Sequence, residues 1–213
     1  MKTSTLLQID SSPLGDASLS RALSREFVKQ WREANAGGEV VTRDLNAIPI
    51  PAIDGGWIGA VFTPEEARTA AQREGLALSD RFLAELDAAD EYVFGVPMHN
   101  FGVPAVLKLW IDQIVRAGKT FAYVDGVPTG LLKNKKATVL IASGGVYRGG
   151  TAMASFDFVE PYLRTILGFA GVTEVRVLAA GGAAAVAYGK VDRESFLRPH
   201  FETIQGWFQP ALA

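Results

Sequence analysis

Tyr92-Val-Phe-Gly-Val96 is a short apolar run that stops at Pro97, passes through Met98-His-Asn-Phe-Gly102 and enters a helix-patterned segment from Ala105 to Arg116. A strand that feeds a helix through so short a loop returns to the sheet by a right-handed crossover. In open α/β sheets, ligands bind outside the carboxyl ends of the strands, near the point where strand order reverses. The loop has the chemistry for a flat ring there. Pro97 and Pro104 stiffen its two ends, Asn100 offers an amide with donors and an acceptor, His99 and Phe101 supply ring faces, and Gly102 leaves room for close approach.

The rest of the chain repeats this grammar. Thr5-Leu-Leu-Gln-Ile9 reads as a first strand, and Ser18-Leu-Ser20 opens a helix with Leu23, Phe27, Val28 and Trp31 at helical spacing to about Asn35. Gly37-Gly38 stops that helix, and Glu39 to Leu45 alternates as a second strand. Residues 46–63 read as a long irregular insertion, and Thr63-Pro-Glu-Glu66 as a helix start. The helical pattern then runs to about Asp87, with an interruption near Gly75. Glu91 to Val96 is a third strand, and Pro104 to Ala117 a helix with Trp110 on its flank. Lys119 to Leu131 is an extended arm or hairpin, and Lys135 to Ala142 a fourth strand. A helix over Phe156–Ala170, a strand over Glu174–Ala179 and a closing helix over Asp192–Phe208 complete the chain. The expectation is a single domain over residues 1–213: a five-stranded parallel sheet, order 2-1-3-4-5, with helices on both faces.

Composition narrows the function. Hydrophobic residues make up 48% of the chain, enough for a sizeable core, and the net charge is −2 with both signs interspersed. That argues against an electrostatic footprint for nucleic acid, which needs a basic face. No apolar run reaches the roughly 18 residues of a membrane span, and the stretch from Met1 to Asp10 is a poor signal peptide, which favours the cytoplasm. There is no cysteine, so no disulfide, thiol nucleophile or thiolate metal site. His99 and His200 are far apart, and no metal is expected.

Two further loops carry chemistry. Ser11, Ser12, Ser18 and Ser20 place four hydroxyls around a helix N-terminus, where free N–H groups favour an anion. GxxxxGK[ST] and GxGxxG are both absent, so neither a triphosphate loop nor the usual dinucleotide fingerprint is present. A hydroxyl cradle suits a terminal phosphate monoester instead. Ser143-Gly-Gly145 lets bare backbone approach a ligand after the fourth strand. In a 2-1-3-4-5 sheet these loops and the Pro97–Phe101 loop meet at one edge, a set that fits a mononucleotide with a flat ring, FMN above all. Phe121 and Tyr123 on the arm either line a substrate pocket or make dimer contacts.

Ser11-Ser12 with Ser18-x-Ser20, Pro97-Met-x-Asn-Phe101, Pro104-Ala-x-Leu-Lys108, Trp110-Ile-Asp112, Arg116-Ala-Gly-x-Thr-Phe-x-Tyr123, Lys135-Lys136, Ser143-Gly-Gly145 and Leu167-Gly-Phe169 extend over most of the chain. In these the chain resembles the FMN-dependent NADH:quinone oxidoreductase/azoreductase family, of flavodoxin-like fold. The resemblance implies a homodimer with FMN at the interface and ping-pong reduction of quinones or azo compounds by NADH or NADPH. It implies phosphate contacts from Ser12, Ser18, Leu19 and Ser20, ring contacts from Pro97, Met98, His99, Asn100 and Phe101, and approach to the ring and ribityl side by Ala142, Ser143, Gly144 and Gly145. Phe121, Tyr123 and, from a partner subunit, Phe169 are implied to line the substrate pocket. The family usually has tyrosine where His99 stands and commonly arginine where Ser143 stands; His99 is a candidate proton donor. The competing expectation is a flavodoxin-type electron carrier that turns over NAD(P)H poorly.

Overall fold

The computed structural model describes residues 4–209, so Met1–Thr3 of the N-terminal stretch read above lie outside the described residues. Five parallel strands form the sheet: β1 (Thr5–Asp10), β2 (Glu39–Asp44), β3 (Glu91–Pro97), β6 (Lys136–Ser143) and β7 (Glu174–Gly181). Their order is β2-β1-β3-β6-β7, and β4 (Phe121–Val124) pairs with β5 (Val127–Gly130) as a separate antiparallel hairpin. With the hairpin set aside, this is the expected 2-1-3-4-5 order. The central strands are buried almost throughout, as befits a parallel sheet covered on both faces.

One face is covered by α1 (Leu19–Ala34) and α7 (Arg193–Gly206), whose Leu23, Phe27, Trp31, Leu197 and Ile204 pack on Leu6, Val93 and Leu140. The other is covered by α3 (Ala70–Ala88), α4 (Ala105–Ile114) and α5 (Glu160–Ala170), with Phe82, Trp110, Ile111 and Leu163 packed on Ile9, Phe94 and Val139. Trp110 is fully inside, between Phe82 and Phe94, rather than on a flank. Gly171, at φ +107, ends α5 in the left-handed conformation that glycine alone adopts without strain.

The segment from 46 to 69 differs from the expectation. Its first part, residues 46–54, is irregular as expected, but α2 (Gly55–Phe62) forms in the second, capped by Asp54, whose Oδ1 accepts from Trp57 N at 2.7 Å. Thr63 closes this helix, donating its hydroxyl to Gly59 O at 2.8 Å, and so does not start the next. The start of α3 is Thr69, in a reciprocal capping box with Gln72. Thr63-Pro-Glu-Glu mimics that signature, but the helical apolar run before it takes the threonine as its own terminus. Gly75 does not interrupt α3, because a single glycine costs only about 1 kcal/mol in a nineteen-residue helix. Trp57 Nε1 donates to Gln113 Oε1 at 2.9 Å and Gln113 Nε2 to Pro51 O at 3.0 Å, so the insertion is docked on α4. The helix expected from Phe156 begins at Glu160, since Asp157 accepts from the N–H groups of Val159 and Glu160 and holds the chain in a turn. A short helix, α6 (Ala184–Ala187), lies between β7 and α7. Among the described residues no helix is long and apolar enough to cross a membrane.

Candidate functional site: three loops at one sheet edge

Register brings the three loops together. Asp10, at the end of β1, stands opposite Gly95, Pro97 at the end of β3 opposite Ala142, and β6 ends one residue later at Ser143. Backbone bonds tie the loop roots: Ser11 N and Oγ both donate to Gly95 O, at 3.1 and 3.0 Å, and Met98 N donates to Ala142 O at 2.8 Å. Ser11 is thereby occupied, which leaves three of the four serines to form a cradle.

Ser12, Ser18 and Ser20 are buried. Ser18 caps α1, its Oγ accepting from Arg21 N at 3.2 Å and lying 3.1 Å from Ser20 Oγ. Ser12 Oγ accepts from Leu14 N at 3.3 Å. Leu19 and Ser20 open the helix, so their N–H groups have no intrahelical acceptor. Hydroxyls and free N–H groups at the positive end of a helix dipole are a donor set for a phosphate. Beneath them lies Asp10, which accepts from Ser24 Oγ at 2.7 Å and Gln8 Nε2 at 2.9 Å. Burial holds its carboxyl above the usual carboxylate range, despite the Ser24 bond and the charge of Arg21.

In the β3–α4 loop, His99 and Gly102 exchange both backbone bonds at 3.0 Å around Asn100 and Phe101, whose φ values are +49° and +70°. This is a two-residue turn of the primed kind. Asparagine tolerates that conformation; for phenylalanine it costs about 1–2 kcal/mol. Contacts from the loop after β6 hold it there. The Phe101 ring lies 6.0 Å from Tyr147 and 5.2 Å from Phe156, and its carbonyl accepts from Phe158 N at 3.1 Å. Strain kept in place by surrounding contacts is a mark of functional loops. Ser143 Oγ donates to Gly145 O at 2.9 Å, and Gly144 is exposed. Alongside runs an apolar groove of about 900 Å³ between α4 and α5, lined by His99, Asn100, Lys108, Phe158 and Tyr162. His99 is exposed at its mouth.

Phe121, Tyr123 and Phe169 lie elsewhere. Phe121 packs on Phe169 at 4.6 Å and on Tyr123 at 5.9 Å, within one chain. The hairpin that carries the first two is fixed to the C-terminal end of α5, where Leu132 N donates to Ala170 O at 2.9 Å. A Cβ on Gly130 would stand 2.2 Å from Gly171 N, so only glycine allows that seat. The end of α5 leads into the start of β7, at the edge of the sheet opposite the three loops. The eight residues of β6 separate the two edges by about 23 Å. The three aromatics therefore form one unit, remote from the loops of their own chain, rather than Phe121 and Tyr123 on one subunit and Phe169 on another.

Sequence reasoning passed over Arg21 and Arg193, which grip the cradle loop from outside. The position of Arg21, one residue after Ser20, was a usable signal; Arg193, 175 residues from Ser18, left none. Among the described residues no cluster of three or more His, Asp or Glu side chains is disposed to hold a metal ion.

A family profile described as flavodoxin-like fold matches residues 4–198. The chain is 56% identical to an FMN-dependent NADH:quinone oxidoreductase of Acidobacterium capsulatum, over 94% of this chain and 97% of that one. It is 51% identical to another of that name from Burkholderia lata, over 95% and 98%. The solved azoreductase of Bacillus anthracis strain Sterne superposes with a TM-score of 0.86 at 28% identity, covering 97% of this chain and 99% of that one. An FMN-dependent NADH-azoreductase of the Ames Ancestor strain, solved in complex with FMN, gives 0.84 at 25%, covering 96% and 98%. With that identity across nearly the whole length, and the same sheet, the chain belongs to the FMN-dependent NADH:quinone oxidoreductase and azoreductase family of flavodoxin-like fold.

Proposed function

We propose that this protein is an FMN-dependent oxidoreductase that passes two electrons from NADH, or alternatively NADPH, to quinones and azo compounds by a ping-pong sequence. The observation that carries the reading is the convergence of three loops at one sheet edge around a buried set of hydroxyl and N–H donors. The donor set fits the cofactor: it suits a phosphate monoester, it needs no lysine, and the neighbouring loops offer backbone and rings. FMN, when bound there, would supply the two-electron redox chemistry.

The chain supplies the rest. Ser12, Ser18, Leu19 and Ser20 hold the phosphate. Pro97, Met98, His99, Asn100 and Phe101 follow the ring, with Ala142, Ser143, Gly144 and Gly145 on the ring and ribityl side. The turn at Asn100–Phe101, locked by the loop after β6, presents these groups without rearrangement, which is how orientation lowers a barrier. A proton for the reduced acceptor comes from solvent or from His99.

The reading includes a homodimer. Tyr123 is 68% exposed and its aromatic unit stands a strand's length from its own loops, which supports a role over a second copy's groove. The proposed location is the cytoplasm, where a nicotinamide pool supplies the reductant.

The test is spectroscopic. Purified protein loaded with FMN should show a flavin spectrum that NADH bleaches without oxygen and that a quinone restores. A flavin that NADH leaves oxidised would make the protein a carrier. Failure to bind FMN would remove the reading altogether.

A further inference from the structure

The loop between Ser12 and Ser18 has a problem that its serines do not solve. A phosphate site must present donors, yet every residue of the loop also carries a carbonyl oxygen. Carbonyls turned inward would repel the anion and cancel the hydroxyls. Two of them, at Ser12 and Asp16, are held outward by two arginines, and the Ser18 carbonyl, which already accepts from Ala22 N at 3.2 Å as the first bond of α1, meets the second arginine as well. Arg21 donates to Ser12 O from Nε at 3.0 Å and from Nη2 at 2.7 Å. Arg193 donates to Asp16 O from Nη1 at 3.1 Å and to Ser18 O from Nη2 at 3.0 Å.

Each arginine is itself anchored. Arg21 is buried, and its Nη2 also meets Asp44 Oδ1 at 2.6 Å, at the end of β2. Asp44 accepts from Asn46 N at 3.0 Å as well, so the carboxylate is fixed from its own strand end. Arg193 is the first residue of α7, directly after the capping residue Asp192. The loop is thus held at one end from the sheet and at the other from the last helix. The planar guanidinium suits this work: Arg21 puts two N–H groups on one carbonyl, fixing it in direction as well as distance, and Arg193 bridges two carbonyls of the loop.

We propose that Arg21 and Arg193 are positioning residues for the cofactor phosphate: they turn the Ser12 and Asp16 carbonyls away from the cradle so that it faces the phosphate with donors alone. The inference rests on the FMN reading above. Neither arginine touches the phosphate in this account; each acts through the backbone it holds.

The test compares FMN with riboflavin, which has the same ring and ribityl chain but no phosphate. Full-length protein freed of flavin is titrated with each, following flavin fluorescence, for wild type, Arg193→Met, Arg21→Met and Arg21→Lys. Losing one fork should raise the FMN Kd about tenfold, the weight of a pair of charge-assisted bonds. The riboflavin Kd should stay unchanged, so the preference for FMN collapses. Circular dichroism reports folding; should Arg21→Met not fold, Arg21→Lys keeps the charge, loses the fork and carries the same expectation. A parallel loss of both ligands, or an unchanged FMN preference in the folded Arg193→Met and Arg21→Lys proteins, overturns the proposal. A wild type that binds neither ligand instead fails the FMN reading itself, so the two failures are distinct.

Discussion

Gly95 is the tightest point under the cradle, and substituting it gives a measurable prediction. A Cβ there would stand 2.3 Å from Asp10 Oδ1, 3.1 Å from Ser20 O and 3.1 Å from Ser24 Oγ. Side-chain Cβ atoms essentially never come within 3.0 Å of another heavy atom, so in Gly95→Ala the carboxylate oxygen must retreat by about 0.7 Å or more. It has nowhere free to go. Oδ1 is bonded to Ser24 Oγ at 2.7 Å and Oδ2 to Gln8 Nε2 at 2.9 Å, with Asp10 3% exposed. Overpacking a core costs about 1–3 kcal/mol. Leaving a buried acceptor short of a donor adds about 1–3 kcal/mol. The expected loss is about 2–6 kcal/mol, read by urea unfolding at pH 7 with circular dichroism. Because the Ser20 carbonyl is also pushed, FMN affinity should fall with stability. Gly75→Ala is the control: it has nothing within 4 Å in the middle of α3, and should stabilise by about 0.5–1 kcal/mol. A Gly95→Ala protein within about 0.5 kcal/mol of wild type would refute the reasoning, since that is the scatter of an inert surface change.

Burial raises the Asp10 carboxyl above its ordinary value of 3.8, so the folded state takes up its proton more readily than the unfolded chain. Its unfavourable contribution at neutral pH is therefore relieved as pH falls through the folded pKa toward 3.8, and unfolding curves from pH 7 to 4 should show wild type gaining on Asp10→Asn; a difference that stays flat would remove the assignment. Phe169→Ala strips the ring that Phe121 packs on at 4.6 Å; if the aromatic unit serves a second copy's groove, kcat/KM for a quinone falls about tenfold while FMN affinity holds. Equal activity in that variant would detach the aromatics from the substrate. His99→Gln tests the proton route: a pH profile of quinone reduction identical to wild type would assign the proton to solvent.

What the sequence made legible was local or repeated. Apolar runs of four to eight residues gave the strands, and Ser18 declared itself as a cap because its side chain and the first turn of α1 lie within three residues. Asp125-Gly126, with both residues at positive φ, closes the hairpin as such a pair should. The errors came where two local readings compete. Thr63 and Thr69 both carry a capping signature, and the choice depends on whether residues 55–62 are helical, which their docking on Gln113 of α4 helps to decide. The hold on the cradle was illegible for a stronger reason. Arg193 and Ser18 meet only because α7 lies against α1 on one face of the sheet, and no window on the chain contains both.

The same distinction bears on the aromatic unit. A motif running unbroken from Pro97 to Tyr123 invites the thought that its residues share one pocket. The fold divides them: α4 carries the chain from the edge with the ligand loops to the opposite edge, so the motif begins at one and ends at the other. Two readings of such a motif survive, an unrelated packing role for its far end or a site completed between two copies. They differ in what they require of Tyr123. A packing role needs it covered by its own chain, whereas it is 68% exposed and meets Phe121 in a T-shaped contact, centroids 5.9 Å apart. Bringing two copies together across a twofold axis, so that the patch on one meets its counterpart in the opposite sense on the other, would set each exposed unit against the other copy's loops, and the two incomplete edges would then complete each other in pairs.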